Sequence, residues 1–114
     1  MDIEKIVKAF NVSTVVKVNP FDQKAAKDAV SSLIEQKGVR VLLFEAPCVV
    51  VSKPAGKSTV NADKCTGCQL CIKKLGCPAL GFENGKAVIN SGLCAGCGLC
   101  ASVCGTDAIK ADGK

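Results

Sequence analysis

The chain has 114 residues, a formal net charge of +5, and nine cysteines but no histidine, tryptophan or tyrosine. That length fits one ordinary domain or two very small ones, and the scarcity of aromatics excludes a large aromatic core. Without histidine there is no Ser-His-Asp triad, no Cys-His nucleophile, and no His-ligated metal or haem.

The first half reads helix, strand, helix, strand. Ile3, Ile6, Val7 and Phe10 share one helical face, and Asn11 is placed to close that helix. Ser13 to Val18 is β-branched and strand-like, and Asn19-Pro20 marks a turn. Asp22 is an N-cap for a helix running to Lys37, with Ala26, Ala29, Val30, Leu33 and Ile34 as its buried face. Gly38 stands where a helix C-terminus wants it. Val39 to Phe44 and then Cys48 to Val51 read as an apolar strand region interrupted by Pro47. Cys48 within it is expected to be a buried, inert thiol.

A strand–helix–strand unit of this length implies parallel strands with a right-handed crossover. Parallel sheets need helices on both faces. Two strands and two helices cannot cover both faces and both edges, so these strands are expected to complete a larger sheet outside this chain. Residues 1–52 are thus read as a partial α/β unit, 53–58 as a linker with Pro, Gly and Ser, and 59–114 as a cysteine domain.

The second half repeats itself. Lys64 to Cys71 recurs as Leu93 to Cys100 at an offset of 29 residues, and Ala79-Leu80 matches Ala108-Ile109. Gly81 to Ile89 reads as a hairpin around Asn84-Gly85. Each copy is therefore expected to be a cysteine loop, a short helix and a strand, related by a pseudo-two-fold axis.

Eight cysteines fall in two runs, Cys65-x₂-Cys68-x₂-Cys71-x₅-Cys77-Pro78 and Cys94-x₂-Cys97-x₂-Cys100-x₃-Cys104. Two-residue gaps let three thiolates converge on one small object, and Gly67, Ala95, Gly96 and Gly98 leave room for the backbone to wrap closely. Disulfides are disfavoured by the tight spacing, the odd count and an N-terminus, Met1-Asp2-Ile3-Glu4-Lys5, unlike a signal peptide. The chain reads as reduced and cytoplasmic, with no run long enough to span a membrane. Zinc is the alternative ligand, although it usually takes two CxxC pairs rather than two triplets each with a distant fourth.

Residues 57–112 resemble bacterial two-[4Fe–4S] ferredoxins. In that family the fourth cysteine of each run crosses to the other cluster. The resemblance implies Cys65, Cys68, Cys71 and Cys104 on one cluster, and Cys94, Cys97, Cys100 and Cys77 on the other. Cys68 and Cys97, rather than Asp, at the second triplet positions favour complete four-iron clusters. Bound clusters would offset much of the positive charge, so the basic composition is poor evidence for a nucleic-acid partner. Two features depart from the ferredoxin pattern: the gap to Cys77 is long and carries Lys73 and Lys74, and Cys104 precedes Gly105 rather than Pro. The lysine pair reads either as a solvated face or as a patch for an acidic partner. Gly56-Lys57-Ser58 lacks the earlier glycine of a phosphate loop, and Gly96-x-Gly98-x-x-Ala101 lies inside the cysteine run, so neither is a nucleotide site.

Taken whole, Val39 to Cys48 with Cys65 to Leu80 is similar to the C-terminal end of indolepyruvate ferredoxin oxidoreductase alpha subunits, including the long gap before Cys77-Pro78-Ala79. Val18 to Asp22 looks like the entry to the last helix of that family's thiamine-diphosphate domain. The overall class is α+β: a ferredoxin-like two-[4Fe–4S] domain with a pseudo-two-fold repeat, preceded by a partial α/β unit. The resemblance implies oxidative decarboxylation of aryl 2-oxoacids to acyl-CoA, with electrons passed to an external ferredoxin. The family's GDG-type thiamine motif and remaining catalytic domains are not in this chain, so no catalytic residue is assigned. Its expected part is electron transfer through two low-potential clusters, alongside the other domains or subunits of such an oxidoreductase. The alternative is a free-standing ferredoxin with an N-terminal extension. No nucleic-acid or membrane partner is expected.

Overall fold

The computed structural model describes residues 1–52 and 56–112, and these fall into two compact units, Met1–Ala46 and Pro47–Lys114. In the first unit, α1 (Ile3–Ala9) starts at Asp2, whose carboxylate accepts the Lys5 N–H at 3.2 Å. Asn11 follows its C-cap in the left-handed region, φ 54°, the helix-closing conformation expected of it. β1 (Thr14–Val18) runs into an Asx turn in which Asn19 Oδ1 accepts the Phe21 N–H at 2.9 Å. Asp22 then caps α2 (Gln23–Glu35) through the Ala25 N–H at 3.0 Å, and α2 leads to β2 (Arg40–Phe44).

β1 and β2 pair in parallel, from Thr14 opposite Arg40 to Val18 opposite Phe44. The Arg40 guanidinium reaches back to α2 and donates to the Leu33 carbonyl at 2.7 Å, and also to those of Ile34 and Gln36. A cation is thus set on the open carbonyls at a helix C-terminus, where the macrodipole favours it. The helix stops at a Gln36 C-cap, short of the expected Lys37.

Little of this unit is buried. Only Ala26 and Leu33 of the expected α2 face are, while Val30 is 41% and Ile34 72% exposed. No residue of α1 is buried, and Ile3, Ile6 and Phe10 face outward. The periodicity identified the apolar stripes correctly, but a two-stranded sheet is too narrow to cover them.

In the second unit, Cys48 to Val51 is not the strand expected from its composition. Val49–Ser52 forms a single helical turn, α3, and the Ser52 N–H donates to the Cys48 carbonyl at 2.8 Å. Cys48 is exposed rather than buried. Paired with no strand among the described residues, the β-branched run closes its own hydrogen bonds locally. Of the expected linker, Lys53, Pro54 and Ala55 lie outside the described residues, and Ser58 already belongs to a strand.

β3 (Ser58–Val60) pairs antiparallel with β6 (Ile109–Ala111), and β4 (Leu80–Glu83) with β5 (Lys86–Ile89). The β4–β5 turn is Asn84-Gly85, both at positive φ (48° and 77°), as the hairpin reading requires. Two short helices complete the unit, α4 (Leu70–Leu75) and α5 (Leu99–Val103). Lys73 and Lys74 are exposed in the last turn of α4, where cations suit the helix terminus. The core is small and rich in sulfur: Cys65, Cys71 and Cys100 are buried together with Ala87, Ala108 and Ile109. Among the described residues no helix is long and apolar enough to cross a membrane.

Candidate iron–sulfur site

The two cysteine loops have the same backbone construction. Asn61 Oδ1 accepts the Asp63 N–H at 2.9 Å, and Asn90 Oδ1 accepts the Gly92 N–H at 2.8 Å. The Cys65 N–H then bonds to the Asn61 carbonyl at 3.2 Å, and the Cys94 N–H to that of Asn90 at 3.0 Å. Gly67 and Gly96 follow at φ 70° and 72°, and Gln69 and Gly98 at φ 59° and 76°, ahead of α4 and α5. All these pairs stand 29 residues apart.

The repeats are also tied to each other. The Asn61 N–H donates to the Ala108 carbonyl at 2.7 Å, and the Asn90 N–H to the Ala79 carbonyl at 2.8 Å. Ala79 and Ala108 are among the most buried residues of the unit, at 3% and 1% exposure.

The eight thiols sort into two groups of four. Cys77, Cys94, Cys97 and Cys100 line one cavity of about 220 Å³, walled by Leu75, Leu80, Ile89, Leu93 and Leu99. Cys65, Cys68, Cys71 and Cys104 line a second, tighter one of about 20 Å³, with Ala87, Thr106, Ala108 and Ile109. Each group joins one triplet to the fourth cysteine of the other run. The first has room for a multinuclear group. The second is the tighter of the two, with space for about one water. Among the described residues no three Cys, Asp or Glu side chains gather tightly enough for a single metal ion.

The surroundings favour thiolates at particular positions. The Ala87 N–H points at Cys65 Sγ, 3.4 Å away. That bond, with one from the Gly67 N–H, holds the Cys65 thiol below its ordinary value against the effect of burial. The Lys86 ammonium, bonded to the Cys65 carbonyl, acts in the same direction. Burial pushes Cys104 up, but Thr106, through its hydroxyl and N–H, and the Ile109 and Ala108 N–H groups together carry it below the ordinary value. The Thr106 Oγ1 stands 3.6 Å from Cys104 Sγ. Cys71 shifts the other way, pushed up by burial. Ligation requires the thiolate, so N–H donors aimed at sulfur lower the cost of forming it.

Gly67 is fixed by contact as well as by its positive φ: a Cβ there would lie 2.4 Å from the Gly85 carbonyl oxygen in the hairpin turn. From the sequence, Asn61, Asn90 and Thr106 have no assigned role, and Ser58 reads only as linker and as part of a rejected phosphate-loop match. The two asparagines had a signal available, since each precedes its first cysteine by four residues in both copies.

Residues 87–110 match a family model described as a 4Fe-4S binding domain. The chain is also 35% identical, over 100% of its length, to the indolepyruvate oxidoreductase subunit IorA of Methanothermobacter thermautotrophicus. This chain is a relative of the IorA subunit. The IorA proteins of Pyrococcus abyssi, 37% identical over 71% of the chain, and Archaeoglobus fulgidus, 34% over 95%, agree. The chain spans only 14% of the Pyrococcus abyssi IorA protein and 19% of the Methanothermobacter one.

Proposed function

We propose that this chain carries electrons one at a time through two [4Fe–4S] clusters, as the ferredoxin segment of an indolepyruvate-type 2-oxoacid:ferredoxin oxidoreductase. One cluster is held by Cys65, Cys68, Cys71 and Cys104, the other by Cys94, Cys97, Cys100 and Cys77. The observation that carries this reading is the sorting of the thiols: each cavity takes three cysteines from one run and the fourth from the other. When bound, each cluster supplies a one-electron carrier whose potential depends on hydrogen bonds to sulfur and on solvent exposure.

The chain's own residues do the rest. The Ala87 N–H stabilises negative charge on Cys65 Sγ, and the Thr106 hydroxyl stands against Cys104 Sγ. Leu75, Leu80, Ile89, Leu93 and Leu99 give the cavity of the second set an apolar wall. The paired loops, with equivalent bonds 29 residues apart, support a pseudo-two-fold arrangement of two equal halves.

Met1–Ala46 has the role of a docking unit in this reading. Its two parallel strands and the outward apolar residues Ile3, Ile6, Phe10 and Ile34 await the remaining sheet of the oxidoreductase. Its partners are then the catalytic domains or subunits that oxidise the 2-oxoacid, and an external ferredoxin that removes the electrons, all in the cytoplasm.

Native mass spectrometry of the chain, purified without oxygen from its own source, tests the proposal. The expected spectrum shows two four-iron clusters on the chain within a larger assembly. Zinc in place of iron and sulfide would overturn it. The same holo-chain found alone would overturn the subunit role in favour of a free carrier.

A further inference from the structure

Ser58 opens β3 and is 4% exposed. Its Oγ is fully enclosed and has no hydrogen-bond partner among the described residues. A buried hydroxyl without a partner bears its whole desolvation penalty, and such groups are rare in folded proteins. Ser58 lines the cavity of Cys77, Cys94, Cys97 and Cys100, and that lining is otherwise almost entirely apolar or sulfur. The position equivalent by the 29-residue offset is Ala87. Ala87 lines the other cavity and turns its N–H to Cys65 Sγ. The strand that enters each loop therefore runs past sulfur, and in one copy only it carries a hydroxyl.

We propose that the Ser58 hydroxyl donates a hydrogen bond to a sulfur of the cluster held by Cys77, Cys94, Cys97 and Cys100, making that cluster easier to reduce. The proposal rests on the two-cluster reading above. A donor to sulfur favours the more negative, reduced state over the oxidised one. The two halves thereby cease to be equal. Ser58 tilts the potential of one cluster, while Ala87 at the matching place has no hydroxyl to give.

The test is a potentiometric titration, followed by electron paramagnetic resonance, of the full chain reconstituted without oxygen. Iron and sulfide are measured first. A wild-type chain that does not take up two four-iron clusters sinks the two-cluster reading, and this proposal with it, before any variant is read. In Ser58→Ala, one of the two midpoint potentials should fall and the other hold. The expected fall makes one-electron reduction about tenfold less favourable, or about 59 mV. Ser58→Thr, which keeps the hydroxyl, should hold the wild-type value, and Ser58→Val, its isostere without one, should follow alanine. The Thr and Val pair also decides the matter if the alanine chain fails to load. Unmoved midpoints in the alanine or valine chain, or equal shifts of both clusters, would overturn the assignment and leave Ser58 as packing only.

Discussion

Replacing Gly67 by alanine should weaken the cluster unit much more than the same change at Gly76. Both positions are left-handed, at φ +70° and +56°. Placing an L-residue there costs about 1–2 kcal/mol. At Gly76 that is the whole effect, because an added Cβ meets nothing within 4 Å. At Gly67 the Cβ would sit 2.4 Å from the Gly85 carbonyl oxygen. That oxygen is backbone in a two-residue turn, so it cannot rotate away as a side chain would. Overpacking of this kind adds about 1–3 kcal/mol, which brings Gly67→Ala to about 2–5 kcal/mol. In a domain this small, each 1 kcal/mol moves the melting temperature by roughly 4–8 °C. Anaerobic melts of the cluster-loaded chain, followed by cluster absorbance and by circular dichroism, should therefore place Gly67→Ala at least about 4 °C below Gly76→Ala. If the two variants melt together, the hairpin turn does not brace the first cysteine loop and the argument from that contact is wrong.

Cys104→Ala should remove the cluster of Cys65, Cys68 and Cys71 and spare the other, and Cys77→Ala should do the reverse. Iron content and the resonance spectrum of each variant report this, and loss of the opposite cluster would show that the runs do not cross. Asn61→Ala and Asn90→Ala should each cost about 1 kcal/mol, because their turn bonds match at 2.9 and 2.8 Å and Asn61 adds only a long second bond from the Lys64 N–H at 3.4 Å; melts showing one loss several times the other would deny their equivalence. In the first unit Lys17 Nζ stands 3.0 Å from Glu45 and 3.7 Å from Glu4. The hydrogen bond that Lys17 donates to the Glu45 carboxylate, with the charge of that carboxylate, raises the Lys17 pKa, so its contribution is complete below the ordinary lysine value and is lost as pH rises through the raised one. The hydrogen bond from Lys8, first, lowers that of Glu4, so its contribution is complete above the ordinary carboxylate value and is lost as pH falls through the lowered one. Lys17→Met should therefore speed hydrogen exchange in β1 and β2 by the same small factor across neutral pH, and by almost nothing at about 1 M salt, where the Debye length is about 3 Å. A salt-independent effect would place the contribution in packing instead.

What could be read from the sequence was whatever is settled within a few neighbouring residues. Asp22 caps its helix, Asn19 makes its turn and Asn84-Gly85 closes its hairpin because each uses its own side chain or φ. The candidate ligands were legible because two-residue cysteine spacing has few other uses. The misreadings fall where the outcome depends on a distant partner. Cys48 to Val51 has strand composition, but Val49–Ser52 forms a helical turn and pairs with no strand among the described residues. Val30 and Ile34 lie on the stripe that periodicity selects, yet periodicity does not say what covers a stripe. Ser58 sat in a segment read as linker, and only the cavity beside it reveals that its hydroxyl is enclosed.

The pairing of β3 with β6 has a topological consequence. The strand that opens the cysteine domain and the strand at its close lie side by side, and the Asp112 N–H still reaches the Lys57 carbonyl at 3.2 Å. The polypeptide thus enters and leaves this module through a single port. A module with adjacent ends can be inserted into a loop of another protein without stretching its host. For the same reason, its ends can be joined between Asp112 and Lys57 and new ones cut at Asn84-Gly85. Such a permuted chain keeps all eight cysteines of the two runs while reversing the order in which the ribosome delivers the two halves.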